Sequence, residues 1–575
     1  MPDNEEQFVQ RRLLVASLLS AVAMMGYFYF YQPQGAPLAQ PAEQAVEAPV
    51  EPAETPQIAA AVPQAATAAG DQAAASVQAE AEREIVVETD QFEVTFSNRG
   101  AVVKKWVLKD YKDVRGEPLN LVHQAGAEEH GYPFRLQLSG GEALPGLDDA
   151  LYQVNAGPDR RTRDAVVEFK YADGVREVRK TFRFRREGYE LDVETEVTEN
   201  GAPRMHLIAW AGGFGDTAHL GDQTYSSVFY WDPAEGLERN SAGDAEDGRI
   251  TNQGEYPFAG IDDLFFTAAF RAKEAQPVQV ETAAIEIDPL VPDRDDLEIF
   301  ASTAIGSSTG NQFELYVGPK SMNDLRTLDT RMAEIVDFGW TSFIAEPLFL
   351  MLLWTHANVV ANWGWSIVLV TIVINIALFP LKWKGNKSTK RMQQLQPLIK
   401  QINEKYKGLK MSDPKKQGQQ EETMALYKKY KVNPVGGCFP MLLQLPFFYG
   451  FYTVLTLVIE MRGAEWLFVG DLSQPENWLI LGGTSIHVLP LAMMGAQFWM
   501  QTLTPMPSVD QAQARMMKFM PLMMGVIFWG FQSGLVIYWL TMNLVGVGQQ
   551  VILNKMPGEE LEIEMPGRKP KGKKK

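Results

Sequence analysis

Two patterns of apolar spacing divide the chain. Between residues 84 and 335 apolar and polar positions alternate. Phe92, Val94 and Phe96 run up to Asn98-Arg99-Gly100, and Val167, Phe169 and Tyr171 lead into Asp173-Gly174. Phe182 and Phe184 follow, then Leu191, Val193, Thr195 and Val197. A period of two places every second side chain on one face of a strand. An Asp-Gly pair between two such runs predicts a tight hairpin. Many short strands with little helical periodicity predict a β-sandwich, with residues 319–333 helical and packed across it.

After residue 335 the alternation gives way to long apolar runs. The run 348–354 is ended by His356 and Asn358 and is too short to span a bilayer, so residues 336–361 are expected to form an interfacial amphipathic helix. Spanning segments are expected at 363–381, 439–459, 486–503, 516–531 and 535–553. Gln532-Ser533-Gly534 leaves room only for an antiparallel helical hairpin between the last two. A further apolar run, 13–31, follows Arg11-Arg12 and ends in Tyr27-Phe28-Tyr29-Phe30-Tyr31, which predicts an uncleaved signal anchor with an interfacial aromatic belt. Residues 32–83 are Ala, Pro, Gln and Glu with almost no large apolar side chains, the composition of a flexible linker.

Charge sets the orientation. The formal net charge of −18 conceals a segregation of acid before residue 335 from base after it. The loop 382–432 carries Lys382, Lys384, Lys387, Lys390, Arg391, Lys400 and further lysines against few acids, and the tail 554–575 ends Arg568-Lys569-Pro570-Lys571-Gly572-Lys573-Lys574-Lys575. By the positive-inside rule both lie in the cytoplasm, as does the N-terminus, and the β domain is periplasmic. Within the basic loop Met392, Leu395, Leu398, Ile399 and Ile402, then Met424, Leu426 and Tyr427, recur at helical spacing, predicting an antiparallel helical hairpin.

The chemistry of enzymes is thin. One cysteine, Cys438, allows no intrachain disulfide and reads as a packed small residue, and six histidines form no metal-spaced pair. Gly567 and Gly572-Lys573 have the spacing of a phosphate-binding loop, but Lys574 stands where a hydroxyl is needed. No cofactor, metal or nucleotide chemistry is expected. A sugar-modifying enzyme using His206 and His219 has no spacing signal behind it. A polytopic transporter or channel with a periplasmic binding domain is the main alternative, without the inverted repeats or paired intramembrane charges it would normally show.

What stands out is polarity inside the apolar runs. Asn375 and Gln444 sit where lipid-facing residues would be expected, and buried polar groups in a bilayer need protein or water. Together with Thr371, Tyr538, Thr541 and Asn543 they would line a hydrated groove. Met493, Met494, Met500, Met516, Met517, Met520, Met523 and Met524 crowd two spans, and flexible thioethers suit varied partners.

The run Asn433-Pro434-Val435-Gly436-Gly437-Cys438-Phe439-Pro440, continuing to Gln444 and Pro446, resembles the core motif of the YidC/Oxa membrane insertases. Asn362-Trp363-Gly364-Trp365-Ser366, Phe379-Pro380-Leu381, Ser533-Gly534-Leu535-Val536-Ile537-Tyr538-Trp539 with Asn543, and Leu315-Tyr316-Val317-Gly318-Pro319-Lys320 match in the expected order. The resemblance implies a multi-domain inner-membrane protein: an α-helical polytopic core of six transmembrane helices, five of them (362–553) conserved, plus a periplasmic all-β supersandwich of the sugar-mutarotase kind (84–335). It implies insertion and folding of newly made membrane proteins, with nascent chains, ribosome, Sec translocon (SecYEG), targeting receptor and anionic lipids as partners and no specific nucleic-acid sequence. It places substrates against Phe447 and Met520. Bacterial members usually carry arginine at the position of Asn375, so Lys382 and Lys384, about two helical turns on, are expected to supply the missing charge at the groove mouth.

Overall fold

A computed structural model describes residues 76–556, apart from position 114 and residues 159–164, 217–225, 288–297, 308–309, 407–414, 433–438, 478, 482–483 and 505–510. The expected signal anchor, most of the linker, Cys438, His219 and the basic tail beyond Met556 lie outside the described residues.

The alternating half of the chain folds as antiparallel sheet. The strands Glu84–Glu88, Phe92–Ser97, Val102–Lys112 and Pro118–Asn120 form a four-stranded meander. A ten-stranded sheet runs from Gly236–Ser241 through Asn311–Pro319, Glu190–Glu199 and Arg176–Phe184 to its edge at Gln153–Pro158. A five-stranded sheet has Glu298–Ser307 at its centre. The Asp173-Gly174 turn joins Ala165–Ala172 to Arg176–Phe184 with Tyr171 opposite Val178, and Gly174 takes the left-handed φ of 87° that the turn demands. Phe92, Phe96, Trp106, Phe169, Phe182 and Trp210, all fully buried, meet between the sheets, with Phe96 and Phe182 ring centroids 4.9 Å apart. The attachment begins before the first strand, since Val77 and Ala172 exchange backbone hydrogen bonds at 2.9 Å.

Helices are few before the C-terminal half: α1 (Gln124–His130) and α2 (Met322–Leu328), the latter followed by a 3₁₀ turn, Thr330–Ile335. Then come α3 (Ser342–Asn358), α4 (Trp363–Ala377), α5 (Phe379–Gln394), α6 (Gln396–Lys405), α7 (Lys415–Lys429), α8 (Phe439–Leu457), α9 (Val488–Leu503), α10 (Gln511–Ile527) and α11 (Ser533–Lys555). α6 and α7 form the expected hairpin: Gln419 Nε2 donates to Asn403 Oδ1 at 2.7 Å, and Leu395, Leu398, Ile399 and Tyr427 make a small core. α3 is apolar on both sides. Leu348, Phe349 and Leu352 are buried, whereas Phe343 and Trp354 are 70% and 62% exposed.

The expected segment 363–381 is not one helix. α4 ends at Ala377 and α5 leaves at 55°, with Pro380 in its first turn, where a missing N–H costs nothing. Among the described residues, α11 alone is long and apolar enough to cross a membrane, and the bent pair α4–α5 qualifies when taken together. α9 holds sixteen residues and α10 seventeen, and α10 gives way to a 3₁₀ turn at Phe528–Gly530.

Candidate functional site

Asn375, Lys382 and Gln549 converge at one end of α4 and α11. Asn375, on the last turn of α4, is buried and donates through Nδ2 to Thr371 O at 2.8 Å. Thr371, also buried, turns its hydroxyl back onto Ile367 O at 2.6 Å, the back-bond by which a hydroxyl satisfies itself in an apolar helix. The Asn375 carboxamide oxygen accepts from Lys382 Nζ at 2.7 Å, and the same ammonium donates to Gln549 Oε1 at 3.1 Å. Gln549 Nε2 closes the ring by donating to Asn375 O at 2.9 Å. The chain bends at Leu378, so Lys382 on α5 meets Asn375 on α4 across the break.

This cluster continues as a row along α5. Asn386 Nδ2 donates to Gln550 Oε1 at 3.4 Å, and Lys390 Nζ donates to Leu553 O at 2.6 Å and Met556 O at 3.1 Å. Spaced four apart, Lys382, Asn386 and Lys390 share one helix face, and Lys390 places a cation on the carbonyl end of α11, where the helix dipole favours it. Lys384 lies on another face and is exposed.

The remaining expected residues are spread along α8, α10 and α11. Gln444 is half-buried and its amide donates to Met542 Sδ at 3.1 Å. Tyr538 is buried and stacks on Phe451 with centroids 4.3 Å apart, and Thr541 is buried one turn further along. The amide nitrogen of Asn543 is buried with no acceptor among the described residues. Phe447 on α8 and Met520 on α10 are both half-buried, and Phe448 of α8 meets Phe528, in the 3₁₀ turn after α10, with ring centroids 6.3 Å apart. Met493 is fully buried in the helical core, so it packs as an ordinary apolar side chain, while Met523 is exposed.

Gln549 and Gln550, central to the polar cluster, were missed by the sequence reasoning. The signal was present: two adjacent amides inside the apolar run 535–553 are as anomalous as Asn375. His206 is tied up structurally, bonded through Nε2 to Thr195 Oγ1 at 2.8 Å and through Nδ1 to Arg204 O at 2.9 Å. No group of three potential metal ligands occurs among the described residues.

A β-rich domain joined to apolar helices that enclose a polar cluster defines the class: a membrane protein with a folded domain on one side. Residues 84–351 match the model of the YidC periplasmic domain, and residues 354–560 that of the 60 kDa inner membrane protein. The chain is 33% identical over 503 residues to the membrane protein insertase YidC of Ralstonia nicotianae, covering 85% of this chain and 87% of that protein. It is 30% identical over 569 residues to the same-named protein of Wolinella succinogenes, covering 96% and 97%. A crystal structure of an active YidC insertase with its first transmembrane domain is 20% identical, with a TM-score of 0.36 over 83% of this chain and 94% of that one. The chain belongs to the YidC family of inner-membrane insertases, and this membership favours the insertase over the transporter reading.

Proposed function

We propose that this insertase receives a short polar segment of a newly made membrane protein in the cluster around Asn375, while the segment's apolar part slides along α8 and α10 past Phe447 and Met520. The observation that carries the reading is the Lys382 ammonium held on Asn375 and Gln549. A cation kept in a partly desolvated site attracts acidic substrate segments more strongly than one in bulk water. Thr371, Gln444, Tyr538, Thr541 and Asn543 extend the polar lining, and the unpaired amide of Asn543 is ready to donate to a passing carbonyl.

The reading includes six spans, both termini cytoplasmic, and the β domain periplasmic. Leu491, Phe498, Phe519, Leu522, Val526 and Ile552 are exposed on α9, α10 and α11, and an apolar surface of that extent suits lipid. At about 1.5 Å per residue α9 rises only about 24 Å, less than the roughly 30 Å of a hydrocarbon core, so the bilayer is thinned beside it and the substrate's polar part has a shorter path. Exposed Phe343 and Trp354 bed α3 in the periplasmic interface. The basic hairpin docks ribosomes or the targeting receptor, the tail meets anionic lipid, and the Sec translocon is a partner for multispan clients. No nucleotide is hydrolysed; partitioning into lipid drives the step.

Photo-crosslinkers at Asn375, Phe447 and Met520, challenged with ribosome-bound chains of one or two spans, test this. Crosslinks at all three sites that fade on release support the groove and slide. Crosslinks at Phe447 and Met520 alone leave the polar cluster as helix packing, and contact at no site overturns the reading.

A further inference from the structure

α9 and α11 run side by side in the same direction. Leu489 and Val536 line one small cavity near their starts, and Met500 rests on Gly546, where an added Cβ would fall 3.4 Å from the methionine Cε. Near their ends Asn554 Nδ2 donates to Leu503 O at 2.8 Å. Gln497 and Asn543 each lie three residues before the Met500–Gly546 contact, so they stand at the same level of the bundle. Gln497 Oε1 is buried with no donor among the described residues, and Asn543 Nδ2 is buried with no acceptor among them. One turn before Asn543, on the same face of α11, the Trp539 indole N–H is buried and equally unpaired. The Trp539 ring packs on Phe448 and Phe528, with centroids 5.0 and 5.1 Å away, which puts this face of α11 behind the slide.

This patch is separate from the Lys382 cluster. Asn543 lies about 120° round α11 from Gln549, which holds the ammonium. Buried polar atoms are normally paired, and the hydrocarbon of a bilayer offers no water to make up the deficit. An acceptor and two donors left open at neighbouring positions therefore weaken the resting bundle. The side chains around them can yield. A Cβ added at Gly525 of α10 would fall 3.0 Å from Met494 Sδ, so α9 meets both α10 and α11 through methionine against glycine. Flexible thioethers repack readily.

We propose that Gln497 and Asn543 form a second binding site, behind the slide, for a neutral amide group in the substrate's span. Asn543 Nδ2 donates to the amide carbonyl, Gln497 Oε1 accepts from its N–H, and Trp539 offers a further donor one turn along. The amide comes from an Asn or Gln side chain or from a peptide group not yet held in a helix, and either carries a penalty in lipid until it is paired. Lys382 serves charge and this site serves uncharged polarity. The inference rests on the slide reading above.

The test compares three matched single-span clients in reconstituted vesicles of the full chain: an all-apolar span, the same span with a central Asn, and the same span with a central Pro-Gly. Gln497→Met and Asn543→Leu should each lower the insertion rate of an amide-bearing client, relative to the all-apolar one, roughly tenfold. A loss confined to the Asn client assigns the side-chain amide, and a loss confined to the Pro-Gly client assigns the backbone. Gln497→Met should melt at or above the parent's temperature, because it removes an unpaired buried atom. A rate ratio unchanged in either variant overturns the site. So does a lower melting temperature with all three clients slowed alike, the mark of a bond between helices. Crosslinks at Phe447 and Met520 decide the slide separately: their absence overturns the slide reading, whereas their presence with an unchanged ratio removes this site alone.

Discussion

Lys382 and Asn375 are seven residues apart in sequence and lie on different helices, yet the ammonium of one is bonded to the carboxamide oxygen of the other at 2.7 Å. A 55° turn between α4 and α5 lies between them. Asn375 supplies no charge of its own; it supplies an acceptor and, with Gln549, a fixed address for a charge carried by its neighbour. Charge and anchoring, which a single arginine would combine, are divided here between two side chains.

Lys382→Gln should therefore lower insertion of a single-span client with an acidic leading segment by about tenfold, the scale set by losing one partly desolvated charge interaction. Lys382→Arg should retain most activity, and Lys384→Gln should change it by no more than about twofold, since an exposed charge is screened by salt. Reconstituted vesicles with a protease-protection readout make the measurement. Equal losses at Lys382 and Lys384 would mean that diffuse surface charge, not the placed ammonium, attracts the substrate.

If the charge matters more than its carrier, Asn375→Arg should rescue Lys382→Gln. The double variant places a guanidinium at the end of α4, within reach of Gln549. Insertion of the acidic client should return to within about threefold of the parent, while Asn375→Arg alone crowds two cations together and gains nothing. Insertion rates of the three variants side by side decide it, and a double variant no better than Lys382→Gln would count against the substitution of one cation for the other.

Much of the β domain was legible because alternation and hairpin turns are local. Phe92, Val94 and Phe96 are buried as their period demands, and Asp173-Gly174 makes the hairpin that joins its flanking strands. The anomalous polarity of Asn375 was legible too, whereas the break at Leu378 was not, because counting residues past Pro380 assumed a straight helix. Gln549 was available to the same argument and went unused. Arg462 and Asp216 form a buried ion pair at 2.5 Å, and no local pattern joins residues so far apart in sequence.

Gly364 should be intolerant of any side chain. A Cβ there would fall 2.2 Å from Trp466 Cγ and 2.5 Å from its Cβ, atoms close to the backbone that cannot swing aside. Gly364→Ala should lower stability by about 1–3 kcal/mol through overpacking, despite alanine's better helix propensity. Unfolding followed by tryptophan fluorescence measures it, with Trp466→Ala expected to relieve part of the cost in the double variant.

Lys180 was legible in principle, since it falls in phase with Val178, Phe182 and Phe184 on the inward face of its strand, and it is fully buried. Its ammonium is caged by Gly100 O, Ala101 O and Phe134 O at 2.8, 3.1 and 2.9 Å. All three residues have positive φ, at 69°, 49° and 69°, so the backbone is bent into a sparsely populated region at the places where it presents carbonyls to the cation. Lys180→Met would leave three buried acceptors unpaired and should cost about 3 kcal/mol or more. Burial pushes the ammonium's pKa down to about 7 from an ordinary 10.5. Between those values the unfolded chain holds a proton that the folded domain has released, so this residue makes stability rise with pH from about 7 to 10.5 and level off below 7. Chemical unfolding of the full chain at pH 7 and pH 9 should show a gain with pH in the parent that is absent in Lys180→Met. A parent whose stability does not rise over that interval would mean that the three carbonyls hold the proton against burial.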